Sequence, residues 1–186
     1  MRRRPSLALL LGALSSWAMA PSFGQSATAP APAARLAAMK KLDAWVGEWK
    51  GSGWSAMGAD QRFEFTLVEK VERKVGGTVL AVEGRGVRKT ERGEEVVTHD
   101  GLALVYYDDK TSQYRWHGHD APWGAIEAEA KLVDGGLEWS FRVEERNATM
   151  RFTIHFDEKQ WHEVGDVSVD GKTWIPIMEV NLARQK

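Results

Sequence analysis

Three groups of side chains in this chain have the types and spacing to do chemistry. The string His117-Gly118-His119-Asp120 puts two imidazoles two residues apart. Alternate residues of a strand share a face, so the pair could grip one metal ion if Asp100 or Asp120 completed the set by loop placement. The hairpin register worked out below turns that face outward, beside Ala103 and Val105, where a surface cluster is the simpler account, and no metal site is assigned. His155 and His162 fall opposite one another on the outer face, with Glu179 beside His162, and read as a stabilising charge and hydrogen-bond cluster. A weak zinc or nickel site is the alternative. The third group, Glu69 and Glu163, alternates onto the apolar inward face, where a carboxylate must be paired, protonated or hydrated. A structural hydrogen bond to Tyr, Trp or water, contact with a ligand, and acid/base catalysis are the three roles open to them. No hydroxyl has a His and a carboxylate in a nucleophile setting, and no phosphate loop or nucleotide fingerprint occurs.

The elements that position these groups follow from the hairpins, because a short loop fixes which residues face each other. Asp134-Gly135 as a loop sets Leu132 against Leu137 and Ala130 against Trp139, with Lys131 against Glu138 on the other face. Arg146-Asn147 sets Phe141 against Phe152 and Trp139 against Ile154. Glu158-Lys159 sets Phe156 against Trp161 and Ile154 against Glu163, and Asp170-Gly171 sets Glu163 against Met178. Upstream, Gly76-Gly77 sets Val71 against Val82. Asp109-Lys110-Thr111 sets Tyr106 against Tyr114 and Leu104 against Trp116. One face of a continuous sheet is therefore apolar and the other charged.

Phe63, Phe65, Tyr106, Tyr114, Trp116, Trp139, Phe141, Phe152, Trp161, Glu163 and Met178 share the inward face and are the candidate ligand-binding residues. They either line a pocket or fill it. Gly84, Gly86 and Gly118 among bulky neighbours, and the number of strands, favour a cavity.

Residues 35–46 place Leu36, Met39, Leu42 and Val46 at helical spacing, with Lys40, Lys41 and Asp43 opposite, and predict one amphipathic helix ended by Gly47. Beyond it, period-two alternation broken by Gly-Gly, Asp-Gly and Arg-Asn turns predicts about ten strands in an all-β meander. Consecutive hairpins with one apolar face close most economically into an antiparallel up-and-down barrel, the helix capping one mouth. A two-sheet sandwich is the competitor.

Composition sets the remaining bounds. Arg2 to Arg4, the apolar run Leu7 to Leu14 and Ala18-Met19-Ala20 form the tripartite pattern of a secretory signal. Pro21 disfavours a cut after Ala20, leaving Gly24 as the competing site, so residues 1–24 read as signal, 25–35 as an Ala/Pro-rich tether and 36–186 as one domain. Export to the periplasm or medium is expected, with no stable membrane anchor. There is no Cys, which excludes disulfides, a lipoprotein anchor and thiolate metal sites. A formal net charge of −1, more negative once the signal arginines leave, gives no footprint for nucleic acid. Nine tryptophans supply large apolar faces with polar edges.

Gly47-Glu48-Trp49-Lys50-Gly51-Ser52-Gly53 resembles the GxWxGxG opening of lipocalin-like calycin barrels. The stretch from Asp170-Gly171-Lys172-Thr173-Trp174 through Leu182-Ala183-Arg184 resembles the end of an uncharacterised lipocalin-like bacterial family. The resemblance implies a barrel whose base is closed by Trp49 stacked on Arg184, a structural cation–π contact. It also implies a small, largely apolar ligand as partner. Nitrobindin, a related ten-stranded haem barrel, shares the opening but ends in a His-Leu-x-Ala-x-Leu-x-Arg segment. Aligned on Leu182 and Arg184, its iron-ligating His falls on Ile177, which has no nitrogen donor, so haem is not expected and no cofactor is assigned.

Overall fold

The structure is a computed structural model that describes residues 33–56, 62–121 and 123–186. The expected signal and most of the expected tether lie outside the described residues. A helix α1 (Ala33–Lys40) leads into β1 (Gly47–Ser55), β2 (Phe63–Lys74), β3 (Val79–Lys89), β4 (Glu95–Asp108) and β5 (Gln113–Asp120). There follow β6 (Gly124–Val133), β7 (Gly136–Val143), β8 (Ala148–Phe156), β9 (Gln160–Ser168) and β10 (Ile175–Arg184). Each strand pairs antiparallel with the next, and β10 pairs with β1, so the ten described strands form a closed up-and-down barrel with no free edge.

The helix is shorter than its apolar spacing predicts and begins inside the expected tether. After Lys40 the chain tightens: Lys41, Leu42 and Trp45 donate backbone bonds three residues back, to Ala38, Met39 and Leu42. Three residues per turn brings Met39, Leu42 and Trp45 onto one line, and all three are fully buried in the barrel mouth. Continued α-helix would have swung Trp45 away from that line. The plug is tied down by Tyr114 Oη donating to Ala38 O at 2.8 Å and Arg73 donating to Met39 O at 3.2 Å. Trp45 then stacks on Phe156 at 5.4 Å and meets Trp161 edge-on at 5.2 Å.

At the same end Arg184 lies over the Trp49 ring at 4.2 Å. Its guanidinium also donates to the carbonyls of Val46 at 2.5 Å, Glu158 at 2.6 Å and Ala44. Gly47, at φ +150°, sits against this guanidinium, and a Cβ there would come within 2.1 Å of it.

Three of the six hairpin registers match the sequence reading: Val71 faces Val82, Ala130 faces Trp139, and Ile154 faces Glu163 with His155 facing His162. The β9–β10 register is corrected, because a bulge between Pro176 and Met178 sets Glu163 against Val180 rather than Met178. The β7–β8 hairpin differs by two residues, because its loop spans Glu144 to Asn147: Trp139 faces Phe152, and Phe141 faces Met150. A two-residue slip leaves every side chain on its expected face.

The β4–β5 hairpin differs by one, and the consequence is larger. Its loop is Asp109 to Ser112, with Ser112 at φ 58°, so Tyr107 rather than Tyr106 faces Tyr114 and Val105 rather than Leu104 faces Trp116. All of β4 is turned over relative to expectation. Tyr106 is corrected to the outer face, where its ring meets His117 edge-on at 5.3 Å. Leu104 is exposed, while Ala103 and Val105 are buried inside.

Candidate functional site

A cavity of about 150 Å³ occupies the barrel interior beyond the aromatic plug. One wall is a stack of rings brought inward by alternation on β5, β7 and β8. Trp116 and Trp139 are parallel at 4.3 Å, Trp139 and Phe152 are nearly so at 4.4 Å, and Phe141 continues the stack 5.8 Å from Trp139. Phe63 and Phe65 of β2, Trp161 and Glu163 of β9, and Met178 of β10 complete the set of expected lining residues that meet in the cavity. Tyr114 is buried but stands below it, engaged with the helix plug, and Tyr106 is outside.

The opposite wall is polar; one of its members, His99, does not appear among the sequence candidates, and another, Asp120, appears there only as a possible metal ligand. Unbroken alternation along β4 points Val105, Ala103, Gly101 and His99 inward, and a β-bulge at Thr98, between the pairs Gly86–His99 and Val87–Val97, follows directly. His99 thereby lies over a bed of glycines. A Cβ on Gly84 would sit 2.6 Å from His99 Nε2 and 2.3 Å from Glu69 Oε1, and one on Gly101 would sit 2.8 Å from the His99 ring. Asp120, at the end of β5, puts Oδ2 at 2.6 Å from His99 Nδ1. Glu69 Oε1 lies 3.7 Å from His99 Nε2, and Trp161 Nε1 donates to Glu163 Oε2 at 3.2 Å.

The electrostatics follow from burial. Glu69, with a side chain 8 % exposed, is pushed up to about 8 by loss of hydration; the His99 charge opposes this and Glu163 adds to it. Burial likewise takes Glu163 to about 7, against the Trp161 hydrogen bond and the His99 charge. Burial acts to lower His99, yet its contact with Asp120 and the charges of Glu69 and Glu163 outweigh that and raise it. At neutral pH the wall thus holds a protonated carboxyl, a half-ionised one, and an imidazole whose proton affinity Asp120 and the glutamates raise. Four buried polar atoms of lining residues, Trp139 Nε1, Thr98 Oγ1 and both carboxylate oxygens of Asp120, have no hydrogen bond of good geometry among the described residues, although Asp120 Oδ2 makes its ion-pair contact with His99.

His99 was hidden in the sequence by the one-residue slip, since with Leu104 and Tyr106 inward, His99 points out. The signal that could have found it is the parity of small and β-branched residues, Gly101, Ala103 and Val105, against large exposed Leu102 and Leu104. His117 and His119 do lie on the outer side of β5, but opposite Leu104 and Leu102 rather than beside Ala103 and Val105. His162 Nε2 is 3.2 Å from Glu179 Oε1, and His155 Nδ1 is 3.1 Å from Asp134 O. Ile177 lies at a second bulge, between Pro176 and Met178, and the cavity has room for a single ring rather than a haem macrocycle. The residues present do not fit that group.

No family model and no curated protein sequence matches the chain. Two solved structures share its fold. Rv2717c from M. tuberculosis superposes with a TM-score of 0.56 at 12 % identity, over 80 % of this chain and 98 % of that one. The S-type phycobiliprotein lyase CPES from Guillardia theta does so with a TM-score of 0.56 at 11 % identity, over 80 % of this chain and 93 % of that one. At these identities the likeness is one of fold, and the fold is an antiparallel barrel closed by ten described strands.

Proposed function

We propose that this protein is an exported barrel that binds a small, largely apolar aromatic molecule with one polar edge. The observation that carries the reading is the division of a single cavity into a stacked aromatic wall and a wall of buried acids with the partly exposed His99 imidazole. A cavity near 150 Å³ is the size that holds one benzene-like ring. At about 25 cal/mol per Å², burying such a ring gains several kcal/mol, enough for affinity on the order of micromolar after association costs. The likeness to a lyase for phycobiliproteins supports a small-molecule site in this kind of barrel.

Native mass spectrometry of the protein purified from its host tests the reading, the expected result being a bound molecule of small mass. Trp fluorescence titration with aromatic probes is the second arm. The indoles of Trp116, Trp139 and Trp161 line the cavity, so binding should change emission saturably. Trp139→Ala should weaken binding, at a cost in stability of about 3–5 kcal/mol. Glu138→Ala, whose partner is Lys131 on the outer face at 2.8 Å, should leave binding intact. If a folded protein gives no saturable change with a broad set of probes, the reading fails.

The Asp120–His99 contact, with Glu69 beyond it, favours a second reading, in which His99 moves a proton on the bound molecule. Incubating the captured molecule with fresh protein separates the two. A binder returns it unchanged, whereas an acid/base catalyst returns a product of different structure.

A further inference from the structure

We propose that the cavity selects an aromatic cation, a single ring bearing an ammonium or amidinium group, with the charge held by Glu69 and Glu163 and the ring by the aromatic wall. This rests on the small-molecule reading above and names the chemical class of the ligand.

The first ground is the charge inventory. Among the described residues that line the cavity, the acids are Glu69, Glu163 and Asp120, the bases are His99 and His119, and there is no Lys or Arg. Asp120 engages His99 at 2.6 Å, and His119 is exposed on the outer side of β5. Two buried carboxyls are left without a counter-cation of their own.

The second ground is unfilled hydrogen-bonding capacity of one kind. The Glu69 carboxyl is nine-tenths buried and has no hydrogen bond among the described residues; His99 Nε2 lies 3.7 Å from its Oε1. Among the described residues Asp120 Oδ1 is buried without a partner, and Glu163 accepts from Trp161 alone. An ammonium brings donors and no acceptor, which is what acceptor-rich walls lack. The third ground is the stack of Trp116, Trp139 and Phe152, because ring faces are negative and attract a desolvated cation. A carboxylate ligand would bring only further acceptors to the same space.

The groups that face Glu69 are His99 from β4, Asp120 from β5 acting through His99, and Glu163 from β9. In the free protein, burial keeps protons on the two glutamates; a bound ammonium takes the place of those protons. Binding a cation at neutral pH therefore releases protons, and affinity rises with pH until Glu69 is ionised.

The test compares benzylamine, its neutral isostere benzyl alcohol, and benzoate by Trp fluorescence and by calorimetry in two buffers of different ionisation enthalpy. Benzylamine should bind at least about tenfold more tightly than benzyl alcohol at pH 7.5, with benzoate weakest. Its affinity should rise severalfold from pH 6.5 to 7.5, while that of benzyl alcohol stays flat. Glu69→Gln should cut the amine preference about tenfold, leave benzyl alcohol within about threefold and reduce the buffer-dependent heat to the share released by Glu163. The proton release of the unmodified protein reads the same linkage without any variant, so a Glu69→Gln protein that fails to fold leaves the test intact. Equal binding of amine and alcohol with no pH slope overturns the cation assignment and leaves the cavity reading standing. Binding of none of the three to a folded protein overturns the cavity reading itself. A preference for benzoate overturns the assignment of sign.

Discussion

Glu69 and Glu163 occupy positions in a barrel interior where a methyl-bearing side chain would cost nothing, and the protein carries them at the expense of stability. Both hold their protons in the folded state to about pH 8 and about 7, whereas in the unfolded chain they ionise near 4.5. The unfolded state thus binds fewer protons across that window, and stability falls as pH rises from about 5 to 8. The ceiling is about 1.4 kcal/mol per pH unit for each group. His99, raised by Asp120 and Glu69 against burial, acts in the same direction: its contribution is full below its unfolded value of 6.5 and is lost as pH rises through the folded one. Thermal unfolding at a series of pH values should show Tm dropping towards pH 8. Glu163→Gln should flatten the drop and raise Tm at pH 8 while leaving it nearly unchanged at pH 5. A wild-type Tm that rises from pH 5 to 8 would mean that the two carboxyls are hydrated or paired in solution.

At the scale of elements, the barrel is closed at one end by two devices that the strands alone could not supply. Arg184 joins the last strand to the first through Trp49 and to the turn before β9 through Glu158 O. Arg184→Ala removes its carbonyl contacts and a cation–π contact together and should cost about 3 kcal/mol, read as a shift of the urea midpoint with unchanged slope. Gly47→Ala should destabilise by a similar mechanism, since its Cβ would displace the same guanidinium. The helix plug depends on a smaller bond. Tyr114→Phe deletes the donor to Ala38 O and should cost about 1 kcal/mol, with hydrogen exchange quickening in α1 and at Leu42 before the strands. Equal protection of α1 in both proteins would show that packing of Met39, Leu42 and Trp45 holds the plug without the hydroxyl.

For the whole molecule, the outer face carries charge pairs such as Arg85–Asp100, Arg115–Glu129 and Lys131–Glu138 beside exposed Val68, Leu102 and Leu104, and the inner face carries the buried aromatic rings. Export is part of the proposal and has its own test. Intact mass of the protein recovered from the host's periplasm should show the segment before about residue 26 removed, and retention of Met1 would refute export by a cleaved signal.

The alternation of Phe63, Phe65 and Leu67, of Trp139 and Phe141, and of Phe152 and Ile154 determined by itself that this chain forms one-sided strands, because side-chain direction in a strand has a period of two whatever the partner. Tight turns at Gly76-Gly77, Asp134-Gly135 and Glu158-Lys159 determined their registers for the same local reason, and the inward place of Glu163 came with them. Where a loop could close with three residues or four, only the closed barrel decided. Packing Val105 against the interior, opposite Trp116, turned Tyr106 out and brought His99 in, since no register shift separates them along β4. The polar wall of the cavity is a meeting of β2, β4, β5 and β9, strands separated by up to nearly a hundred residues of chain. No local pattern specifies such a meeting, because the distance between Glu69 and His99 is set by how the sheet closes on itself rather than by either strand.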